Sequence, residues 1–408
     1  MKKTIFFLLI SVVAYSQPKQ GQWRGTLLLN KETGLELPFT FEVSIMNKQI
    51  QLVIQNAGER ITVDETILTK DSLIFKMPVF DTEFRTRLIG DTLLTGEWIN
   101  HTKKENNSIA FKAQFSKTSR FLFPAEKPSH FYDGKWEVTF SPDTKDSSKA
   151  IGLFKHRAGS TVIEGTFLTE TGDYRYLEGT EHNGKLYLSC FDGSHAFLFT
   201  AEHNGTEISK GDFYSGSTWH ESWVGKRNEQ FELRDAETLT YLKDPNAAIT
   251  FSFKNTSDET VSLHDPKFKH KVIIIQIMGS WCPNCMDETA YLSRLYKQYH
   301  KKGLEIIGLA YERTSDPVKA KNNIQRLKNR FGVEYEVLIT GLTGKDKASE
   351  SLPFLNGIMA FPTTLILDKD HKAVSVYTGF NGPATGKAYE SYVFKTEHLI
   401  KELLLQKK

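Results

Sequence analysis

Two cysteines three residues apart stand in the run Ser280-Trp281-Cys282-Pro283-Asn284-Cys285. Directly before it lies a continuous apolar stretch, Val272 to Met278, interrupted only by Gln276. After it Tyr291, Leu292, Leu295 and Tyr299 recur at helical spacing. The dithiol therefore sits where a strand ends and a helix begins. A helix N-terminus presents unpaired N–H groups and partial positive charge, and these stabilise a thiolate at Cys282. Cys285 lies one turn further in, within reach of the first sulfur. This spacing suits disulfide exchange: Cys282 attacks or is attacked, a mixed disulfide forms, and Cys285 resolves it. Pro283 preorganises the first helical turn. No cofactor is expected.

Two blander readings of the same cysteines stand beside this one. The pair could be a structural disulfide with no turnover. A zinc site needs four ligands, but the third cysteine, Cys190, is 92 residues upstream and no His pair has ligand spacing. His182, His195, His203 and His220 are scattered, so no metal is expected. Cys190 lies between Leu188 and Phe191 in a strand pattern and reads as a small buried apolar side chain.

The elements that must position the dithiol follow from patterning. Ile249 to Phe253 and Val261 to Leu263 flank a polar turn and read as a hairpin. Val272 to Met278 has the unbroken character of a strand covered on both faces. Leu304 to Tyr311 is a second buried strand. Asp316-Pro317 is a helix start, continued by Ala320, Ile324, Leu327 and Phe331 on one face. Thr363 to Leu367 and Ala373 to Thr378 form another hairpin, and Tyr389 to Leu405 closes the chain as a helix. The order read is β-α-β-α-β-β-α, with chemistry at strand ends.

Residues 247–408 thus read as an α/β domain. The chain before it, 17–236, reads as all-β: short alternating runs such as Phe39 to Ile45 and Ile50 to Ile54 are separated by Gly, Asn and Asp turns. An internal repeat divides it into units 17–128 and 129–236. Gly21-Gln22-Trp23 matches Gly134-Lys135-Trp136, and Leu73-Ile74-Phe75 matches Leu186-Tyr187-Leu188, at one offset of 113 residues. Phe80-Asp81 and Phe191-Asp192 lie at an offset of 111. The Pro-bearing stretch Phe123 to Pro128 falls between the units as a linker. Two such units would be small sandwiches or barrels. Ala236 to Tyr241 could be a short helix.

Residues 249–408 resemble the thioredoxin-like domain of the TlpA/ResA family of exported thiol:disulfide oxidoreductases. The carrying residues are the hairpin before the core strand, the run Ile277 to Cys285, Glu288, and Ala360-Phe361-Pro362-Thr363-Thr364 before a strand. The resemblance implies a thioredoxin fold and an exported enzyme reducing disulfides of client proteins, with a second redox partner that recycles the dithiol. It implies that Pro362 is cis and packs beside the sulfurs; the residues alone leave cis and trans open. It implies that Phe361 offers backbone groups to an extended client segment, with Trp281 and Pro283 lining the same place. Glu288, three residues after Cys285 and on the same helix face, would lie under the disulfide and move a proton; its plainer role, with Asp287, is to complement the helix N-terminus. Gln276 stands where thioredoxin has a buried Asp. Pro283-Asn284 differs from thioredoxin's Gly-Pro, and Thr289-Ala290 departs from the small-residue-plus-Pro pattern after the Glu, so the direction of electron flow stays open.

Composition frames these expectations. In 408 residues there are 52 Lys and Arg against 49 Asp and Glu, a formal charge of +3. Such a balance gives no reason to expect nucleic acid as a partner. With 39% hydrophobic and 12% aromatic residues, wholesale disorder is excluded. Three cysteines cannot build a disulfide scaffold. Lys2, Lys3, the apolar run Ile5 to Ala14 and the small-x-small Ala14-Tyr15-Ser16 read as a signal peptide, residues 1–16. No Cys follows for lipid attachment, and the run is short of a membrane span. A periplasmic mature chain with no membrane span is expected. Two other functions remain: a thiol peroxidase, although Ile274 and Gly279 break that class's sequence context, and a binding protein whose β units hold a ligand with the thiol domain as accessory.

Overall fold

The computed structural model describes residues 17–47, 49–124 and 126–406. The signal peptide expected over 1–16 lies outside the described residues.

An all-β region comes first, then an α/β domain of thioredoxin-like architecture. Nine antiparallel strands between Gly21 and Phe115 form one sheet, in which consecutive strands pair except the fourth and fifth, which are its two edges, and the first pairs with the last. A second sheet between Gly134 and Arg227 repeats that order and closes on itself, Ser148–His156 pairing with Val162–Thr169, to give a barrel of eight main strands. The two units begin alike: Gly21 and Gly134 have φ 119° and 114°, and Trp23 and Trp136 each donate Nε1–H to the carbonyl four residues earlier at 2.8 Å. Both tryptophans are fully buried. Cys190 is fully buried in the second barrel's core, as its strand pattern suggests.

The third sheet holds seven strands in the spatial order Thr260–Ser262, Ser252–Asn255, Glu336–Ile339, Leu304–Ala310, Val272–Met278, Thr363–Leu367, Ala373–Thr378. Val272–Met278 is central and buried along its whole length. It pairs in parallel with Leu304–Ala310 and antiparallel with Thr363–Leu367. Helices α1 (Pro283–Tyr299), α2 (Pro317–Phe331), α3 (Gly344–Ser351) and α4 (Lys387–Leu405) complete the domain. α2 starts as the sequence indicates, with the Asp316 carboxylate accepting from the N–H groups of Val318 and Lys319 and Pro317 at the first position. On α1, Tyr291 packs edge-on to Tyr392 of α4 at 5.9 Å, and Ser293 Oγ donates to the carbonyls closing α2.

The order read from sequence lacks two of these elements. The strand Glu336–Ile339 has only four residues, and α3 buries only Ala348, so neither carries a strong period. The helix expected over 236–241 is a single 3-10 turn, Ala236–Thr238. Among the described residues no helix is long and apolar enough to cross a membrane.

The three sheets touch one another. The buried Arg120 guanidinium donates to Gln55 O at 2.5 Å in the first unit and to Ser189 O at 3.2 Å in the second, and pairs with Glu178 at 3.3 Å. Val79 of the first unit is part of the α/β domain's apolar core, and Asp81 pairs with Lys319 of α2 at 2.7 Å.

Candidate active site

The central strand delivers the loop Gly279-Ser280-Trp281 to the start of α1. That loop is pinned on both sides. Ser280 donates its N–H and Oγ–H to the buried Glu312 carboxylate at 2.8 and 2.7 Å, and Asn323 of α2 donates to the same group at 3.1 Å. Trp281 Nε1–H donates to Tyr311 O at 2.9 Å, and its ring meets Phe361 edge-on at 5.5 Å. Glu312 carries no motif of its own, and sequence reasoning missed it.

Cys282 is the N-cap of α1. Its Sγ accepts the N–H of Cys285 at 3.3 Å and lies 3.4 Å from Phe361 O, toward which the thiol points. Cys282 is only 6% exposed and Cys285 is fully buried. Both are free thiols in this structure. Burial, then the neighbouring Cys282, pushes the Cys285 thiol well above its ordinary range. Pro283 occupies the first turn and is buried. The Phe361–Pro362 peptide is cis and leads into the strand Thr363–Leu367. The structure thus brings Trp281, Cys282, Pro283, Cys285, Phe361 and Pro362 to one place.

Glu288 lies below them, fully buried on the inner face of α1. Its carboxylate accepts from Thr364 Oγ at 2.7 Å, Gln276 Nε2 at 2.9 Å and Tyr392 OH at 3.3 Å. Burial raises its proton affinity to about 7 against the opposing pull of those three donors. Its charge is felt at Cys285. Gln276, which also reaches Cys285 O at 3.4 Å, bridges the acid to the helix that carries the sulfurs. A carboxyl group that can gain or lose a proton near neutrality beside a buried thiol can serve that thiol as acid or base.

Two features of the site, a stacked cation and contacts from the second β unit, had no signal in the sequence. The Arg313 guanidinium stacks on Trp281 with its centre 3.8 Å from the ring centroid. From the second β unit, Ser194 Oγ donates to Trp281 O at 3.3 Å, and Asn284 donates back to Asp173 O at 3.1 Å. Metal-ligating types gather elsewhere: His130 and His156 each hydrogen-bond one oxygen of Asp133 through Nδ1 at 2.7 Å. The scattered histidines 182, 195, 203 and 220 form no such group among the described residues.

Comparison with known proteins locates this geometry. Residues 243–392 match the Redoxin family model. The Redoxin region therefore contains the whole constellation, from the central strand through Cys282, Cys285 and Glu288 to the cis Pro362. Over 151 residues the chain is 28% identical to the thiol-disulfide oxidoreductase ResA of Bacillus thuringiensis subsp. konkukian, covering 37% of this chain and 75% of that one. Against ResA of Bacillus anthracis the identity is 29% over 173 residues, covering 42% and 87%. Among solved structures, a thioredoxin-family thiol:disulfide interchange protein of Chlorobium tepidum is 18% identical at a TM-score of 0.31, over 40% of this chain and 97% of that one. A thiol-disulfide oxidoreductase of Bacteroides fragilis is 21% identical at a TM-score of 0.28, over 36% and 99%.

Proposed function

We propose that the chain is an exported, periplasmic thiol:disulfide oxidoreductase that reduces disulfides of client proteins through Cys282 and Cys285. The observation that carries this reading is the dithiol at the N-terminus of α1, facing Phe361 O and underlain by the buried Glu288. Cys282, as thiolate, attacks one sulfur of a client disulfide, and the other client sulfur leaves as a thiolate. The Cys285 thiol then gives up its proton, Glu288 in its ionised form being the acceptor. The Cys285 sulfur attacks Cys282, the mixed disulfide breaks, and the second client thiolate leaves. Client and enzyme have exchanged two electrons: the client is reduced, and Cys282–Cys285 is oxidised. A second thiol partner must then return the dithiol to its reduced form.

Trp281, Pro283, Phe361 and Pro362 form the seat for an extended client segment. The export reading rests on residues 1–16, and mass spectrometry of the purified N-terminus tests it, with cleavage near Gln17 expected and an intact Met1 contradicting it. For the redox reading, Cys282→Ser is expected to abolish reduction of insulin disulfides. Full retained activity in that variant would remove the proposal.

A further inference from the structure

Arg175 is a buried cation with an unusual set of neighbours. It belongs to the second β unit, follows the short strand Gly172–Asp173, and holds φ 56°, a left-handed conformation that side-chain-bearing residues rarely adopt. Both β units and the α/β domain meet on its guanidinium. Nη2 pairs with Glu59 of the first unit. Nε lies 3.2 Å from Asp192 of the second, off hydrogen-bond geometry. Nη1 pairs with Asp287 of α1 and also donates to Pro283 O at 3.0 Å, inside the dithiol motif itself. Asp173 stands behind, accepting the N–H groups of Arg175 and Gly382. His195 pairs with Asp192 at 3.1 Å.

One guanidinium therefore faces Glu59, Asp192 and Asp287, with Asp173 beside them. The cluster is short of positive charge. Burial pushes both Asp173 and Asp287 up to about 6, neighbouring carboxylates adding to it and Arg175 opposing it at each. Asp192 is held down to about 2: burial opposes this, but His195 and Arg175 outweigh it. Asp287 and a Cys282 thiolate are two anions on the opening turns of one helix, and Arg175 is the cation bonded to that stretch. Among the described residues, the other charged or titratable groups facing the dithiol and this cluster include Arg313, Glu312, Cys285, Glu288 and Tyr176.

We propose that Arg175 is a positioning residue for the dithiol: through Pro283 it fixes the first turn of α1, and through Asp287 it sets the charge balance under which Cys282 carries a thiolate. The proposal deepens the oxidoreductase reading and rests on it. It gives the β region a part in the chemistry, since the cation and two of its three paired carboxylates come from outside the α/β domain.

Reduction of the disulfide creates the Cys282 thiolate, so a nearby cation favours the reduced form and a nearby anion disfavours it. Arg175→Gln and Asp287→Asn break the same ion pair but remove opposite charges. The test uses the full chain, equilibrated with glutathione redox buffers, and alkylation of Cys282 by iodoacetamide as a function of pH. Arg175→Gln is expected to make the pair more reducing, with an equilibrium constant lowered roughly 3- to 10-fold, or about 15–30 mV, and to move Cys282 alkylation to higher pH. Asp287→Asn is expected to move both the other way, and Arg175→Lys to fall between wild type and Arg175→Gln. A merely structural contact would shift both pair-breaking variants in the same direction or leave the potential unchanged, and either result overturns the proposal. If Arg175→Gln does not fold, Asp287→Asn decides alone: an unchanged or more reducing pair refutes the inference. Should wild type form no Cys282–Cys285 disulfide, the oxidoreductase reading fails; should it form one that the variants leave unaltered, only this inference fails.

Discussion

Glu288 keeps its proton to about pH 7, and that has consequences for both rate and stability. Its proton affinity is raised by burial above that of an exposed Glu, near 4.5. Between those two values the folded chain holds a proton that the unfolded chain has lost. This contribution to stability is therefore full below about pH 4.5 and is lost as pH rises through 7, a difference of about 3 kcal/mol. Glu288→Gln lacks the titration. Thermal melts of wild type and variant at pH 5 and pH 8 should show the variant gaining on wild type at the higher pH. The variant should also resolve mixed disulfides roughly 100-fold more slowly, the scale of a lost acid–base group. A variant whose resolution rate matches wild type across this range removes Glu288 from the mechanism. Of the residues at this scale, Cys282 and Cys285 stand in a local motif that the residues themselves display, whereas Glu288 and Pro362 were singled out through the family resemblance. Arg175, Glu312 and Arg313 were illegible: their positions at the site come from chain crossings with no spacing signature.

At the scale of elements, the site is a junction of one strand, one loop and one helix, supported by the neighbouring strand. Thr364, on the strand Thr363–Leu367, donates to the Glu288 carboxylate at 2.7 Å, and that bond favours the ionised form. Thr364→Val keeps the shape and removes the donor. The pH at which resolution becomes fast should then move upward, with a loss of roughly tenfold at neutral pH, the worth of about one hydrogen bond to a charged group. Stopped-flow reduction of a mixed disulfide at several pH values checks it, and an unmoved profile contradicts it. Patterning made the buried strands and α1, α2 and α4 readable, because long apolar runs and periodic faces leave a strong signal. It lost Glu336–Ile339 and α3, one too short and the other with a single buried residue. The central Gln276 looked like an interruption of a strand; in the fold it is the donor that ties Glu288 to the site.

At the scale of the whole molecule, the β units are packed against each other and against the domain that carries the thiols. Arg120 is one of several buried links between the two units, contacting Gln55 O, Ser189 O and Glu178 beside the Asn56–Phe191 and Ser189–Pro38 hydrogen bonds. Arg120→Met removes the guanidinium from two carbonyls and leaves Glu178 paired with the half-exposed Arg157 alone, at 3.0 Å. The expected cost is about 2–3 kcal/mol, the order for a buried acceptor left without its donor, read by urea unfolding, with earlier proteolysis between the units. A loss under 1 kcal/mol, as for an exposed pair, would show that this contact does not hold them together. The repeat itself was visible in sequence through Trp23 and Trp136, since each unit needs a large side chain at the same core position. The packing of the second unit against Trp281 and Asn284 was not, because surface contacts between units carry no periodicity.

The central claim is that Cys282 makes the bond to the client and Cys285 breaks it. Cys285→Ser, incubated with insulin under non-reducing conditions and analysed by peptide mass, tests it most directly. The account predicts a stable mixed disulfide between an insulin chain and Cys282, absent in Cys282→Ser. An adduct at Cys190, or none on either variant, would contradict it.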